Sequence, residues 1–488
     1  METQITVSDH PGGEDDLVFA TYAGNVRLRV SAETLTPYGG LVPWAAFMKH
    51  NGIVEQLVQT CPVRRTSPNA APVRDVLQSF FLTALTDGRR FAHVQRLREE
   101  RGLCELFGMK TVVSDDTLRR FFKSMEPTQA AEWVAQASAQ LLALLPERLI
   151  LDWDSTVITK YGHQEGARKG YNPTKRGRAS FHPLVAVAAG TRLCASYHFR
   201  PGDTVTSTQW ASAAEEAQRN MGGREAWLHR GDIGLGQETV MAWHENAPPG
   251  QKRPFYLFKL KLTPNARRAM AAVREQDWQG PGTQGTWQVA EARVRLDGWS
   301  AERRVIFARK LQGLLPEKPQ ATFWKENKHE LAAYVTNLDE KQLNAWQTLP
   351  LYAERADTEN VFDELKNQWG FEGFSAKQKA VSALAARLLL LVYNLWGIFS
   401  RLMEPSKHVE AAGSRKWFMV IAGRLVKSGR QYEMQISAQG TWWEGLKRGY
   451  ERVLAWLTAT APQLRLTGQK PPPAPLFLSQ KPALNCGI

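Results

Sequence analysis

Residues 149–156 read LILDWDST, an apolar run carrying two aspartates, Asp152 and Asp154, and closed by two hydroxyl residues. The run has the length and composition of a strand, and residues two apart on a strand point to one face. A strand this apolar is buried, where a carboxylate is costly unless a cation or a metal ion pairs with it. The pair therefore predicts one metal-binding carboxylate and one supporting carboxylate. In the plainer alternative, one of the two caps the following turn through Ser155 and Thr156.

Working outward, HPLVAVAAG (182–190) and RLCASYHF (192–199) read as two more strands. A helical stretch (209–221), a strand (226–229), a helix (236–244) and the strand FYLFKLKL (255–262) follow. Three strands, helix, strand, helix, strand is the pattern of an α/β sheet with helices on its faces. Residues 263–345 switch to alternating runs, WQVAEARVRL, RRVIFARKL and ELAAYVTNL, which predict an inserted β-rich unit. Helices return with TENVFDELKNQWG and ALAARLLLLVYNLWGIF. WFMVIAGRLV (417–426) reads as a strand, a last helix is expected around residues 442–457, and the proline-rich tail PPPAPLFLSQKPALNCGI reads as disordered.

Upstream, residues 41–144 carry apolar residues at helical spacing. In VVSDDTLRRFFKSM, Ser114 or Asp115 can cap a helix that gathers Leu118, Phe121 and Phe122 on one face and turns Arg119, Arg120 and Lys123 toward another. This segment fits a helix-turn-helix-like unit on DNA, and equally a helix with a solvated basic face.

The 488 residues suffice for two to four domains, and 43% hydrophobic with 23% charged residues is a soluble globular composition. A net charge of +14 favours a polyanionic partner, nucleic acid first, because cations that neutralise phosphates release counterions. Cys61, Cys104, Cys194 and Cys486 are scattered, which argues against zinc or a disulfide framework and for a reducing cytoplasm. The acidic N-terminus is no signal peptide. The apolar stretch 380–400 contains Arg387 and Asn394 and is expected to be a buried core helix rather than a membrane span.

Three further features bear on chemistry. Asp232 in HRGDIGLG follows an apolar run, where α/β sheets form ligand sites, although an aspartate beside glycines is also an ordinary turn residue. Tyr352, Arg355, Glu359 and Lys366 are spaced by 3, 4 and 7 positions, so on one helix they share a face, with Val361, Leu365 and Trp369 as a docking stripe. That face combines a carboxylate suited to Mg²⁺ with cations suited to phosphate, or else is a solvated face with an Arg355–Glu359 pair. From Lys160 to Arg178 the chain carries six Lys or Arg against one acid, interspersed with glycines, Tyr161 and Tyr171. Lys169, Lys175, Arg176 and Arg178 in this loop predict contact with a phosphate backbone.

These residues resemble a known family. Tyr352-(2)-Arg355-(3)-Glu359-(6)-Lys366 resembles the Tyr-Arg-Glu-Lys signature of one large branch of bacterial insertion-sequence DDE transposases. DWDST and HRGDIGL resemble that family's first and second aspartate segments, and GHQEGARKGYNPTKRGRASFHP and FRPGDT look like one subgroup of it. The resemblance implies an RNase H-like mixed α/β core with a β-rich insertion and an N-terminal helical domain. It implies catalytic metal ligands Asp154, Asp232 and Glu359 for Mg²⁺, with Mn²⁺ able to substitute, and Asp154 is preferred to Asp152 because it precedes the small hydroxyl residue Ser155. Tyr352, Arg355 and Lys366 would hold phosphates of the transposon end, and Trp287, Trp299 or Trp324 would stabilise a flipped base.

The expected layout is a helical, DNA-end-binding domain at 1–145, a catalytic core at 146–262 and 346–404, the insertion at 263–345 and a C-terminal region at 405–488. The expected activity is metal-dependent strand cleavage at terminal inverted repeats and strand transfer into target DNA, by two-metal phosphoryl transfer, with a hairpin intermediate often seen in this branch. The expected state is a homodimer on double-stranded DNA in the bacterial cytoplasm, associated with the nucleoid and without a membrane. The rivals are an RNase H-like nuclease that does not join strands and a DNA-binding protein lacking catalysis. A glycosidase built on Asp152 and Asp154 is more remote, since residues two apart on one strand are poorly placed to flank a sugar.

Overall fold

The computed structural model describes residues 17–28, 30–283, 285–311, 329–429 and 431–459. The proline-rich tail, Cys486 and Trp324 lie outside these residues.

A hairpin of β1 (Leu17–Thr21) and β2 (Gly24–Leu28) and the short β3 (Leu35–Thr36) precede the helical region. That region comprises α1 (Val42–Asn51), α2 (Ile53–Gln59), α3 (Val73–Leu85), α4 (Arg101–Leu106), α5 (Asp115–Lys123) and α6 (Pro127–Leu142). The side chain of Ser114 accepts the Thr117 N–H at 3.2 Å and starts α5, which buries Leu118, Phe121 and Phe122.

The chain then enters β4 (Arg148–Ser155), the centre of the molecule, followed by β5 (Ile158–Thr159), β6 (Arg168–Lys169) and β7 (Ala179–Phe181), a small sheet that shapes the basic loop. Next come β8 (Leu184–Ala188), β9 (Leu193–His198), α7 (Trp210–Arg219), β10 (Glu225–Gly231), α8 (Glu238–Glu245), β11 (Phe255–Lys259) and α9 (Pro264–Ala271). β12 (Trp287–Val294), β13 (Arg303–Leu311) and β14 (His329–Thr336) follow. One eight-stranded sheet runs β12-β13-β14-β11-β10-β4-β8-β9. β10 is parallel to both β4 and β11, and every other pairing is antiparallel. The alternating runs expected as an inserted unit therefore extend the sheet that carries Asp154, joined through β14 to the edge of β11.

After the sheet come α10 (Ala345–Ala353), α11 (Asp357–Gln368), α12 (Lys379–Met403) and α13 (Ala411–Phe418). β15 (Gly423–Ser428), β16 (Gln431–Ile436) and α14 (Gly440–Ala459) complete the described chain. Two sequence expectations change here. Tyr352, Arg355, Glu359 and Lys366 do not share one helix: α10 ends and a single 3₁₀ turn, Glu354–Ala356, separates it from α11. Pro350 removes one N–H from the last turns of α10, and the Leu351 carbonyl accepts from the buried guanidinium of Arg230. The apolar start of WFMVIAGRLV is also not a strand, since Trp417 and Phe418 end α13 and only Gly423 onward is extended.

α12 is apolar and long enough to span a bilayer, but most of it is buried inside the protein. It packs against α3, α5, α6 and α14 and against β9. One core consequently runs from Leu41 to Val453, uniting the N-terminal helices, one face of the sheet and the C-terminal helix. Trp44 of α1 meets both Trp396 and Phe399 of α12 with ring centroids 5.3 Å apart. The opposite face of the sheet holds a smaller core that includes Leu228, Leu257, Ile306, Tyr334 and Leu351.

Candidate active site

β4 alternates between these two cores. Leu149, Leu151 and Trp153 enter the larger one, where Trp153 meets the ring of Trp210 at 4.9 Å and of His229 at 5.6 Å. Asp152 and Asp154 point to the other side, as their spacing requires. Asp152 is 2% exposed, and its two oxygens accept from Nε and Nη2 of Arg230 on the neighbouring β10, at 2.6 and 2.9 Å. Arg230 is itself fully buried and reaches Glu354 at 3.1 Å. Desolvation opposes the charge of Arg230, yet the Asp152 and Glu354 carboxylates together outweigh it and raise the pKa. The pair is a closed unit with both carboxylate oxygens satisfied.

Asp154 lies at the end of the strand and is held differently. One oxygen accepts the Ser155 N–H at 2.7 Å and the other accepts Nη2 of Arg355 at 2.8 Å. Burial pushes its pKa up to about 6; Arg355 opposes this, while the charges of Asp232 and Glu359 add to it. Asp154 thus lies within electrostatic reach of both Asp232 and Glu359.

Asp232 follows β10 directly, in the turn Gly231–Gly234, and accepts the Gly234 N–H at 2.9 Å. Glu359 sits in the first turn of α11 with its side chain 73% exposed, 3.9 Å from Nη1 of Arg355. Arg355 therefore spans Asp154 and Glu359, with its plane 5.9 Å from the ring of Tyr352. The Tyr352 hydroxyl donates to the Gly231 carbonyl at 3.3 Å, next to Asp232. Among the described residues no three His, Cys, Asp or Glu side chains converge closely enough to hold a metal ion as they stand. The guanidinium of Arg355 supplies the positive charge between Asp154 and Glu359.

Lys366 lies farther along α11, donates to the Val157 carbonyl at 3.3 Å and pairs with Glu372 at 3.6 Å. Lys160 turns inward from the start of the basic loop onto the Glu372 carbonyl, at 2.8 Å. Lys169, Lys175, Arg176 and Arg178 are exposed on that loop, with Arg178 5.5 Å from the ring of Tyr161. On α5, Arg119 folds back onto Asp115 at 2.5 Å and over the ring of Phe91, Arg120 pairs with Asp116 at 3.3 Å, and Lys123 is exposed.

Asp154 at the end of β4 feels both an aspartate at the end of the adjacent parallel strand and a glutamate on a later helix. The family model described as "Transposase DDE domain group 1" matches residues 20–456. The chain is a DDE transposase. No curated protein sequence matches it. Among solved structures it is similar to the piggyBac transposase in a synaptic complex with hairpin DNA, at 15% identity and a TM-score of 0.41, over 79% of this chain and 80% of that one.

The transposase binds DNA and, as a member of this family, uses divalent metal ions. Some of its central residues escaped the sequence reading. Arg230 was visible only as a cation inside the apolar run AWLHRG, the counterpart of the aspartates in LILDWDST. Glu354 and Thr206 gave no spacing signal, because their contacts form between loops that meet only in the folded chain, and Arg200 stood out only as part of FRPGDT. Of the tryptophans considered, Trp299 is buried beneath Arg303 and Trp287 is half-buried beside Lys310.

Proposed function

We propose that Asp154, Asp232 and Glu359 hold the divalent metal of this transposase, Mg²⁺ with Mn²⁺ as substitute, on an RNase H-like core formed by β9-β8-β4-β10-β11. The observation that carries the reading is Asp154, a largely buried carboxylate that feels the charges of two further acids and has Arg355 as its cationic partner, beside the Ser155 N–H. Added positive charge is what such a cluster lacks, and oxygen donors suit hard cations. Bound there, the metal supplies a Lewis acid that lowers the pKa of a water or a DNA 3′-hydroxyl and neutralises charge at the scissile phosphate.

The protein's own residues do the rest. The Asp152–Arg230 pair fixes the strand beneath Asp154, so that this carboxylate stays in place when its neighbours rearrange. Arg355 must release Asp154 before that carboxylate can turn fully to a metal. Its planar fork then becomes available to a DNA phosphate beside Tyr352. Lys366 ties the segment just after β4 to α11 through the Val157 carbonyl. The exposed Lys169, Lys175, Arg176 and Arg178, together with Arg119, Arg120 and Lys123, neutralise the DNA backbone of the inverted repeats and target. A homodimer on two ends follows from the family reading.

The test is a labelled duplex bearing the element's own terminus and flank, incubated with Mg²⁺ or EDTA and with wild type or Asp154→Ala. Metal-dependent cutting at the terminus by wild type alone is expected. Cutting by Asp154→Ala at the wild-type rate would remove Asp154 from the chemistry.

A further inference from the structure

Arg200 is 1% exposed, and no carboxylate pairs with it among the described residues. Its Nε donates to the His182 carbonyl at 3.0 Å, and Nη1 donates to the carbonyls of Thr206 and Thr208 at 3.0 and 2.8 Å. A buried cation held only by backbone oxygens, with Nη2 left without a hydrogen bond, is expensive, and here it pins the loop 201–208 from inside. The loop carries Thr206 to a particular place. The Thr206 hydroxyl lies 2.9 Å from the Ser155 hydroxyl, next to Asp154. It also touches the turn that holds Asp232: a Cβ on Gly234 would stand 2.6 Å from Thr206 Oγ1 and 3.1 Å from Asp232 Oδ1. Only glycine at 234 admits this approach.

The same loop reaches outward. Gly170 of the basic loop packs on the Gly202 carbonyl so closely that a Cβ there would collide, and Arg168 pairs with Asp203 at 3.8 Å. His182, whose carbonyl Arg200 holds, donates its Nδ1–H to the Thr204 carbonyl at 2.7 Å.

We infer that Thr206 is a positioning residue of the transposase, its hydroxyl setting the spacing between the turns that bear Asp154 and Asp232. This rests on the reading of those aspartates as metal-holding residues. Arg200 keeps the hydroxyl in place, and the contacts at Gly170 and Asp203 link that placement to the basic loop. Groups that orient metal-binding carboxylates typically govern metal affinity and leave DNA binding alone.

Full-length Thr206→Val and Thr206→Ser are compared with wild type and Asp154→Ala on the end duplex. Three quantities are read: Mn²⁺ uptake from the free-ion EPR signal, the Mg²⁺ concentration for half-maximal cleavage, and duplex affinity in EDTA. Thr206→Val is expected to take up Mn²⁺ about tenfold more weakly and to need about tenfold more Mg²⁺, at unchanged duplex affinity. Thr206→Ser keeps the hydroxyl and is expected to return both quantities close to wild type. Wild-type metal behaviour of Thr206→Val, or a serine variant as impaired as the valine one, overturns the inference and leaves the site reading standing so long as Asp154→Ala is inactive. Wild-type uptake and cutting by Asp154→Ala overturn the site reading itself, and this inference with it.

Discussion

Asp152 and Asp154 stand two residues apart on one face of one strand, and the molecule treats them in opposite ways. Asp152 is sealed by both teeth of a buried arginine on the next strand. Asp154 is held by one tooth of Arg355, whose other end lies near Glu359, and two further acids face it. A carboxylate with all its strong contacts made inside the fold belongs to the scaffold. Asp154 has a backbone N–H on one oxygen and one arginine tooth on the other, and on the proposed reading that arginine is the contact a metal replaces. Two residues apart in sequence, the aspartates thus differ in how completely the fold satisfies them, and the proposed site rests on that difference.

The largest effect expected from breaking this division is catalytic. Glu359→Gln should lower end cleavage by about a thousandfold or more while end binding in EDTA stays near wild type. A glutamine variant that cuts normally would take α11 out of the centre. Asp152→Ala should act on the other side of the division. It leaves the buried Arg230 with only the exposed Glu354 as counter-charge, at a cost of about 3–5 kcal/mol in denaturant unfolding. If Asp152→Ala were as stable as wild type and merely slow, the two aspartates would have exchanged roles.

A third test uses the far face of β4, where the polar groups are histidines. Burial is the main cause that lowers His198 to about 4 and His244 to about 3, from an ordinary value of 6.5. Both are neutral when folded, so the stability tied to that neutrality is complete above pH 6.5. It drains away as pH falls from 6.5 toward 4 and 3, because the unfolded chain binds protons that the folded chain refuses. Each should contribute a slope of about 1.4 kcal/mol per pH unit within that window, read as proton uptake on unfolding at pH 5. No uptake beyond that of a variant with His244 replaced would place the acid sensitivity elsewhere. The smallest effect belongs to the surface. Lys175→Ala should leave stability unchanged and reduce the salt slope of DNA binding by about 0.9. An unchanged slope would release that residue from the DNA path.

Much of this was legible before folding. The alternation of LILDWDST placed both aspartates on one face, and the strand and helix order of residues 149–262 matched the sheet that formed. The Ser114 cap and the buried stripe Val361, Leu365 and Trp369 were equally readable, since each depends on residues within a turn or two. What escaped were long-range matters. The break between Tyr352 and Glu359 depends on Arg230, more than a hundred residues earlier, reaching the Leu351 carbonyl. The joining of β12, β13 and β14 to the main sheet depends on a pairing with β11 that alternation cannot announce. Thr206 matters through Ser155 and Gly234, two contacts that exist only when three loops meet.

The core that unites Trp44, Phe399 and Trp456 also bears on how the protein is made. A nascent chain that has emerged as far as Glu359 possesses all three acids but lacks α12, against which α3, α5 and α6 pack. A partly synthesised chain, or one truncated before α12, carries these acids without the helix against which the N-terminal helices close, so the core around them cannot form until α12 has been made.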